Sequence, residues 1–416
     1  MSPQIVLYTG KGGVGKTTVA AATAAGAARA GLRTLVLSTD PAHSLGDALG
    51  VDLAHGDGEP VPIEAGLDAL HVTRARRVEP GWDVVRGYLE EVLDRLGVDP
   101  VLASELTSLP GADEMAGLLE LGERARTGTW DLIILDCAPT TETLRLLSLP
   151  EAAARQLGRL VPVLARWQRV LSVPGGPLVG IPQPSKRVLD AVRGWQDDML
   201  GVRDVLTGPE ARIRLVTTPE RMVIAEARRT WTTLSLLGYG VDAVVVNRVL
   251  PEADGEGVEP GWLAGWNAAQ AKGLDDIADS FAGLAQPRVP YLPEEPVGVA
   301  ALVDAWERME HLGDLGSEAG TGAPERGAPG RAAGGLTIEP DGDGFRLRLP
   351  LPFVTAGEVH VERTADEMVL EVAGHRRVIV LPAVLRRCDV ARAGVRRGVL
   401  TLHFVPNPQE WPDGSR

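Results

Sequence analysis

The chain carries three pieces suited to handling phosphate together: a glycine loop with two lysines, and two aspartates that each close an apolar run. The loop is GKGGVGKTT, from Gly10 to Thr18. Gly10 to Thr17 fits the spacing G-x-x-x-x-G-K-[ST]. It follows a strand-like run and opens a helix-like one, the setting that this spacing needs. Gly10, Gly12, Gly13 and Gly15 free the backbone so that successive N–H groups, that of Val14 among them, turn toward phosphate oxygens. The helix starting near Lys16 adds its positive end. In such a loop Lys16 neutralises the β- and γ-phosphates, the Thr17 hydroxyl ligates Mg2+ and Thr18 can reach the α-phosphate. The other reading is a glycine-rich turn without a ligand, and the strand–loop–helix setting argues against it.

Lys11 is the second lysine of the loop. Only four of the 42 basic residues are lysine, and two of the four sit here. A lysine directly after the first glycine is not needed to cradle phosphates within one subunit. It can instead reach the phosphates of a facing copy, as a finger supplied in trans, or it is simply solvated. Asp40 ends the run RTLVLST, where a carboxylate can position or deprotonate an attacking water. Asp40 or Ser44 can also cap the helix that DPAHSLGDALG begins. Asp136 ends LIILD, the place for a carboxylate that holds Mg2+ through water, or for a strand-end cap. Asn247 ends DAVVVN, and its amide can pair with the N6 and ring-nitrogen edge of adenine. A strand-end turn residue is the alternative.

These residues need a scaffold of alternating strands and helices. QIVLYT, RTLVLST, DLIILD, RIRLVTT and DAVVVN read as strands buried on both faces, each followed by a turn and a helical pattern. That predicts an α/β doubly wound, mostly parallel sheet. Residues 79–126 and 149–208 are strand-poor and read as helical insertions standing off the sheet. The nucleotide-binding domain is expected over residues 1–314, with a flexible Gly/Ala/Pro-rich linker at 315–335. From 336 to 406 the pattern turns to period two, which predicts a small all-β sandwich, and 407–416 form a tail.

GKGGVGKTT resembles the deviant phosphate loop of the MinD, ParA, nitrogenase iron protein and ArsA class of dimeric ATPases. STDPAHSLGD (Ser38 to Asp47) and DCAPTTETLRLLSLP (Asp136 to Pro150) resemble the two switch segments of the ArsA/GET family, the arsenite-pump and tail-anchored-protein-targeting ATPases. The resemblance spans about residues 1–310. It implies ATP and Mg2+ as cofactors and a homodimer, since one chain holds one phosphate loop. It implies Asp40 as the catalytic carboxylate, Asp47 near the water shell of the metal, and Pro139 and Thr140 in a switch that senses the nucleotide. His43 would orient its loop rather than do chemistry. The base would lie between Asn247 and the segment VPYLPEEPVG, with Pro290 and Leu292 against it. Glu220 matches a glutamate near the dimer interface, and a helix N-terminal charge is the plainer reading. The family pattern at the second switch is close to D-T-A-P-T-G-H-T-L-R. Here Cys137, Thr141 and Glu142 stand in place of its Thr, Gly and His, which changes the backbone freedom and the charge of that loop. A buried structural role for Cys137 is the simpler one.

Other features bound the function. A net charge of −14 argues against nucleic acid as a partner. No long apolar run or signal-like start is present, and no C-terminal amphipathic helix, so the expectation is a cytoplasmic protein without direct membrane insertion. Two cysteines, Cys137 and Cys388, suit a reducing compartment and build neither a zinc site nor a cluster for soft As(III). Where eukaryotic targeting ATPases carry a zinc-binding C-x-x-C, this chain has Trp262 and Trp266, most simply core or interface anchors. The helical insertions can form a groove for an apolar-helix client, or they are packed core. The sandwich resembles the α-crystallin (small heat-shock) fold, with ARAGVRRGVLTLHFV like its closing strand, but the tail lacks the I-x-I anchor of large assemblies. The sequence therefore reads as a homodimeric ATPase that couples nucleotide state to a client or other protein partner. A nucleotide-gated adaptor or holdase with little turnover, and a soluble ATPase subunit of an anion transport system, are the alternatives.

Overall fold

The computed structural model describes residues 2–40, 44–53, 58–72, 79–95, 97–99, 112–137, 140, 142–145, 147–148, 182, 184–251, 262–309, 335–364 and 366–410. The linker expected at 315–335 lies almost wholly outside these residues, as do 149–181 of the second expected insertion.

Eight strands form one sheet: β1 (Gln4–Gly10), β2 (Thr34–Ser38), β3 (Val61–Glu64), β4 (Leu67–His71), β5 (Leu132–Asp136), β6 (Ala211–Thr217), β7 (Val241–Val249) and β8 (Arg288–Pro290). Their order is β3-β4-β2-β5-β1-β6-β7-β8. The pairs β2–β4, β2–β5, β6–β7 and β7–β8 are parallel, and the edge strand β3 runs antiparallel to β4. The order reverses about β1, so the loop after β1 opens at a topological switch point, where α/β sheets bind ligands. All five strands expected from sequence are present. β3, β4 and β8 were not expected. β8 has three residues, and β4 interrupts its apolar pattern with Asp68, whose carboxylate accepts the Trp130 indole N–H at 2.7 Å.

Helix α1 (Lys16–Arg29) follows the phosphate loop. Its alanines favour the helix, and Ala20, Ala21, Ala22, Ala24 and Ala25 are fully buried. Helices α2 (Ser44–Leu49), α3 (Glu79–Arg95), α4 (Ala112–Thr127) and α5 (Lys186–Thr207) come next. Ala116, Leu118 and Leu121 of α4 are fully buried, and Glu120 is held inside by Arg124 at 2.6 Å. Helix α4 thus buries one face, within the stretch 79–126 expected to be a helical insertion. On α5, Val188, Val192, Trp195, Met199 and Val202 make one buried stripe at helical spacing.

The chain groups into two compact units. One comprises residues 1–5, 20–211 and 297–302, and the other 6–19, 212–296 and 303–416. The second unit includes α6 (Arg221–Leu237), α7 (Trp262–Ser280) and an all-β region. That region contains β9 (Thr337–Asp341), β10 (Gly344–Pro350), β11 (Val359–Arg363), β12 (Glu367–Val372), β13 (His375–Val380), β14 (Cys388–Arg396) and β15 (Val399–Pro406). They make two antiparallel sheets, β14-β15-β10-β9 and β11-β12-β13. Leu347, Leu349, Leu370, Leu402 and Phe404 fill the space between them, and Leu236 of α6 joins the same core. Arg377 of β13 is buried and donates to the Leu236 carbonyl at 2.7 Å, while the Thr232 hydroxyl donates to the Pro352 carbonyl at 2.6 Å. Trp231 of α6 meets Phe281 and Phe353, with centroids 5.6 and 5.7 Å away. Trp266 of α7 is 62% exposed and so is no core anchor; the side chain of Trp262 lies outside the description.

Candidate nucleotide site

In the unit that holds the phosphate loop, β1 ends at Gly10 and α1 begins at Lys16. A Cβ on Gly10 would stand 2.2 Å from the Val216 carbonyl oxygen, so only glycine lets the chain leave the sheet this close to β6. Gly15 has φ +87°, and a Cβ there would stand 2.3 Å from Asn247 Nδ2. Val14 is buried, whereas Gly12 and Gly13 are exposed. The loop thus anchors one apolar side chain inward and leaves its crown open. Lys11, Thr17 and Thr18 are half-buried. Lys16 is buried, and its ammonium donates to the Lys11 carbonyl at 3.3 Å. That bond curls the cation over its own loop.

The residues expected to hold the base come together in the same unit. Val249 of β7 pairs with Pro290 of β8, and the Tyr291 N–H donates to the Val249 carbonyl at 2.8 Å. Asn247, Pro290 and Leu292 therefore gather at the ends of two adjacent parallel strands. Asn247 is buried, and both ends of its amide are engaged: Nδ2 donates to the Val14 carbonyl at 2.7 Å, and Oδ1 accepts from the Arg248 N–H at 2.8 Å. Glu220 is exposed and is the N-cap residue of α6; its carboxylate takes the Thr218 hydroxyl rather than a helix N–H. Deeper in the sheet, the Arg214 guanidinium donates to the Tyr8 hydroxyl at 3.1 Å and to Asp242 at 3.4 Å. Burial alone pushes its pKa down, but Tyr8 and Asp242 outweigh that and hold it above the ordinary arginine value.

In the other unit, Ser38 and Asp136 are register partners at the ends of β2 and β5. Both are fully buried. The Ser38 hydroxyl donates to Asp136 Oδ2 at 3.4 Å and accepts from the Asp40 N–H at 3.2 Å. The Ser44 hydroxyl in turn donates to Asp40 Oδ2 at 3.4 Å. One serine thus ties the aspartate expected to hold metal to the backbone of the aspartate expected to act on water. Sequence reasoning passed over Ser38, although a hydroxyl closing an apolar strand two residues before Asp40 was its signal. Asp47 lies exposed on α2 and lines a cavity of about 560 Å³ with Asp52 and His71. Thr140 is buried and Glu142 exposed, while Pro139, Thr141 and His43 lie outside the described residues. Cys137 and Cys388 are both buried, and neither forms a disulfide.

The donor chemistry fits Mg2+. The Thr17 hydroxyl in one unit and the Asp136 carboxylate in the other are each hard oxygen donors, a donor type that suits Mg2+ over softer metals. Among the described residues no group of three or more His, Cys, Asp or Glu could hold a metal ion. Mg2+ does not need such a cage, because it is usually held by one or two protein ligands with phosphates and water. Among the described residues no helix is long and apolar enough to cross a membrane.

The chain is similar in sequence to known proteins. Residues 3–311 match the family described as anion-transporting ATPase, and residues 342–404 match the HSP20-like domain found in ArsA. A Mycobacterium tuberculosis relative, protein Rv2184c, is 35% identical over 98% of this chain and 97% of its own length. A Prosthecochloris vibrioformis relative, provisionally named an arsenical pump-driving ATPase, is 34% identical over 96% of each chain. The arsenical pump-driving ATPase of Escherichia coli is 28% identical over 78% of this chain, which spans 52% of that longer protein. With residues 3–311 matched to the ATPase family and residues 342–404 to the domain that accompanies it, this chain belongs to the ArsA ATPase family.

Proposed function

We propose that the chain is a Mg2+-dependent ATPase that works as a homodimer and couples the state of its nucleotide to a protein partner. The observation that carries this reading is Lys16, a buried ammonium held on the Lys11 carbonyl within an open glycine loop. When a triphosphate enters, Lys16 exchanges that carbonyl for the β- and γ-phosphate oxygens, and the loop amides take the rest. Thr17 and Asp136 hold Mg2+, which supplies positive charge to the phosphate oxygens when bound. Asp40 accepts the proton of a water whose oxygen bonds to the γ-phosphorus as the bond to the β-phosphate oxygen breaks. The partner subunit's Lys11 adds charge to that oxygen as it departs. Pro290 and Leu292 flank the adenine, and Asp47, Pro139, Thr140 and Glu220 relay the nucleotide state.

The partner is a protein rather than arsenite on this reading. Relatives carry names for driving arsenical pumps, yet this sequence has two cysteines, both buried, and soft As(III) needs several thiols together. A transport subunit for another anion is the second reading that those names favour. The test is Asp40→Asn with Mg2+ and ATP. ATP binding is expected within about threefold of the parent protein, with turnover down by at least ~100-fold, the scale of a lost general base. Sedimentation of the ATP-loaded variant is expected to give a two-chain species. Unchanged turnover removes Asp40 from catalysis, and single chains remove the homodimer.

A further inference from the structure

The family resemblance assigns Asn247 to the base, but the contacts of its side chain lead elsewhere. Its Nδ2 donates 2.7 Å to the carbonyl of Val14, in the middle of the phosphate loop. Its Oδ1 accepts from the N–H of the next residue, Arg248, at 2.8 Å. An N–H on one side and a carbonyl on the other fix which end of the amide is which. Arg248 has φ +59°, a conformation that side chains rarely adopt and that persists only where the surroundings hold it. The surroundings do hold it. Beyond Arg248 the side chain of Gln270 on α7 accepts the Leu250 N–H at 2.7 Å and donates to the Leu250 carbonyl at 3.0 Å. The end of β7 is therefore tied on both sides of Arg248, and the Asn247 side chain reaches the loop.

We propose that Asn247 is a positioning residue for the phosphate loop: it fixes the Val14–Gly15 peptide, and so aims the Gly15 amide at the phosphates, whatever the base. A peptide plane is rigid, so gripping the Val14 oxygen sets the direction of the Gly15 N–H on the opposite side. Gly15 itself lies against the clamp, since a Cβ there would come within 2.3 Å of Nδ2. With the amide removed, a carbonyl beneath the loop loses its donor and the peptide can rotate. This inference rests on the reading of the loop as a phosphate site and adds who holds the loop in shape.

The two roles for Asn247 differ in what they do to ligands without adenine. The experiment measures ATP, GTP and inorganic tripolyphosphate binding to the parent protein, Asn247→Asp and Asn247→Ser, with thermal unfolding recorded for each. Asn247→Asp keeps the acceptor for Arg248 but faces the Val14 carbonyl with an oxygen. Positioning predicts that Asn247→Asp loses roughly 10- to 100-fold for all three ligands, the scale of a buried carbonyl stripped of its donor. The ATP-to-GTP ratio stays within about twofold, and Asn247→Ser falls in between. KM for ATP and for GTP rises together. Loss confined to ATP, with tripolyphosphate unchanged, would make Asn247 a base reader and overturn the proposal. Unchanged binding of all three would overturn it too. If Asn247→Asp does not fold, Asn247→Ser carries the same comparison. Should the parent protein bind neither ATP nor tripolyphosphate, it is the nucleotide reading that fails.

Discussion

Two regions of one unit are secured by the same device and turned to opposite ends. At the phosphate loop, Asn247 reaches the Val14 carbonyl; at the seat of the sandwich, Arg377 reaches the Leu236 carbonyl; both bonds are 2.7 Å and both donors are buried. Around Val14 the neighbours are glycines, Gly12 and Gly13 open to solvent and Gly15 half-buried. Around Leu236 the neighbours are Leu347, Leu370 and Leu402, in a continuous apolar core. The amide is neutral and holds a loop without competing for its anion. The guanidinium is charged, and it sits at the C-terminal end of α6, where the helix dipole and the last carbonyls favour a cation. A side chain that must leave a binding surface free is thus paired with minimal packing. One that joins two structural layers is surrounded by it.

The sharpest way to break the comparison is Gly15→Ala. The new methyl group meets Asn247 Nδ2 at 2.3 Å in a backbone at φ +87°. A strained non-glycine residue costs about 1–3 kcal/mol, and displacing the clamp leaves a buried carbonyl unpaired for about 1–3 kcal/mol more. ATP affinity measured by calorimetry is expected to fall at least ~100-fold. The sandwich, followed by the fluorescence of Trp231 in a variant keeping that tryptophan alone, is expected to stay docked. Undocking in this variant would mean that the two regions are one cooperative structure.

Arg377→Met is the reciprocal change and has a smaller effect on function. It keeps much of the apolar bulk but removes the donor to Leu236. A hydrogen bond from a charged group is worth about 1.5–3 kcal/mol, so urea unfolding is expected to show a loss of about 2–3 kcal/mol. ATP binding per folded molecule is expected to stay within about twofold. Equal losses at both sites would erase the distinction between a functional clamp and a structural one.

The legible part of this molecule is what lies close in sequence. The phosphate loop is nine consecutive residues whose spacing is itself the geometry, and β1, β2, β5, β6 and β7 are apolar enough to announce buried strands. The two clamps were not legible. Asn247 and Val14 are 233 positions apart, and Arg377 and Leu236 are 141 apart. Nothing in an arginine within a period-two run distinguishes a buried latch from a solvated edge residue. β14 carries little pattern for a related reason. Most of its residues are exposed, including Ala391, Arg392, Ala393 and Gly394, so one-sided burial writes no alternation into the sequence. A glycine-rich linker suggested a sandwich on a tether. The apolar face of α6, carrying Trp231 and Leu236, has the spacing of any buried helix stripe, and its use as a seat for the sandwich emerges only from the fold.

An exposed clamp in the other unit supplies the control for both buried ones. Asp131 accepts from the Arg33 N–H and Nε at 3.0 Å and from a terminal guanidinium nitrogen at 2.6 Å. The side-chain bond to Arg33, then the backbone bond, lowers the Asp131 pKa from 3.8 to about 2. A lowered carboxylate pKa means that the folded state binds its proton later than the unfolded chain does. The contribution of the pair is therefore complete above about pH 4 and disappears as the pH falls through about 2. The side chains are 58% and 41% exposed, so solvent and salt screen the interaction and its effect on stability is the smallest of the three. In Asp131→Asn the Asp131 and Leu132 N–H bonds to the Arg33 carbonyl need no carboxylate and should persist. Stability followed by urea unfolding between pH 2 and 4 is expected to fall slightly less steeply in the variant, with the difference vanishing in about 1 M salt. A difference as large as that from Arg377→Met would mean that burial is not what separates a strong clamp from a weak one.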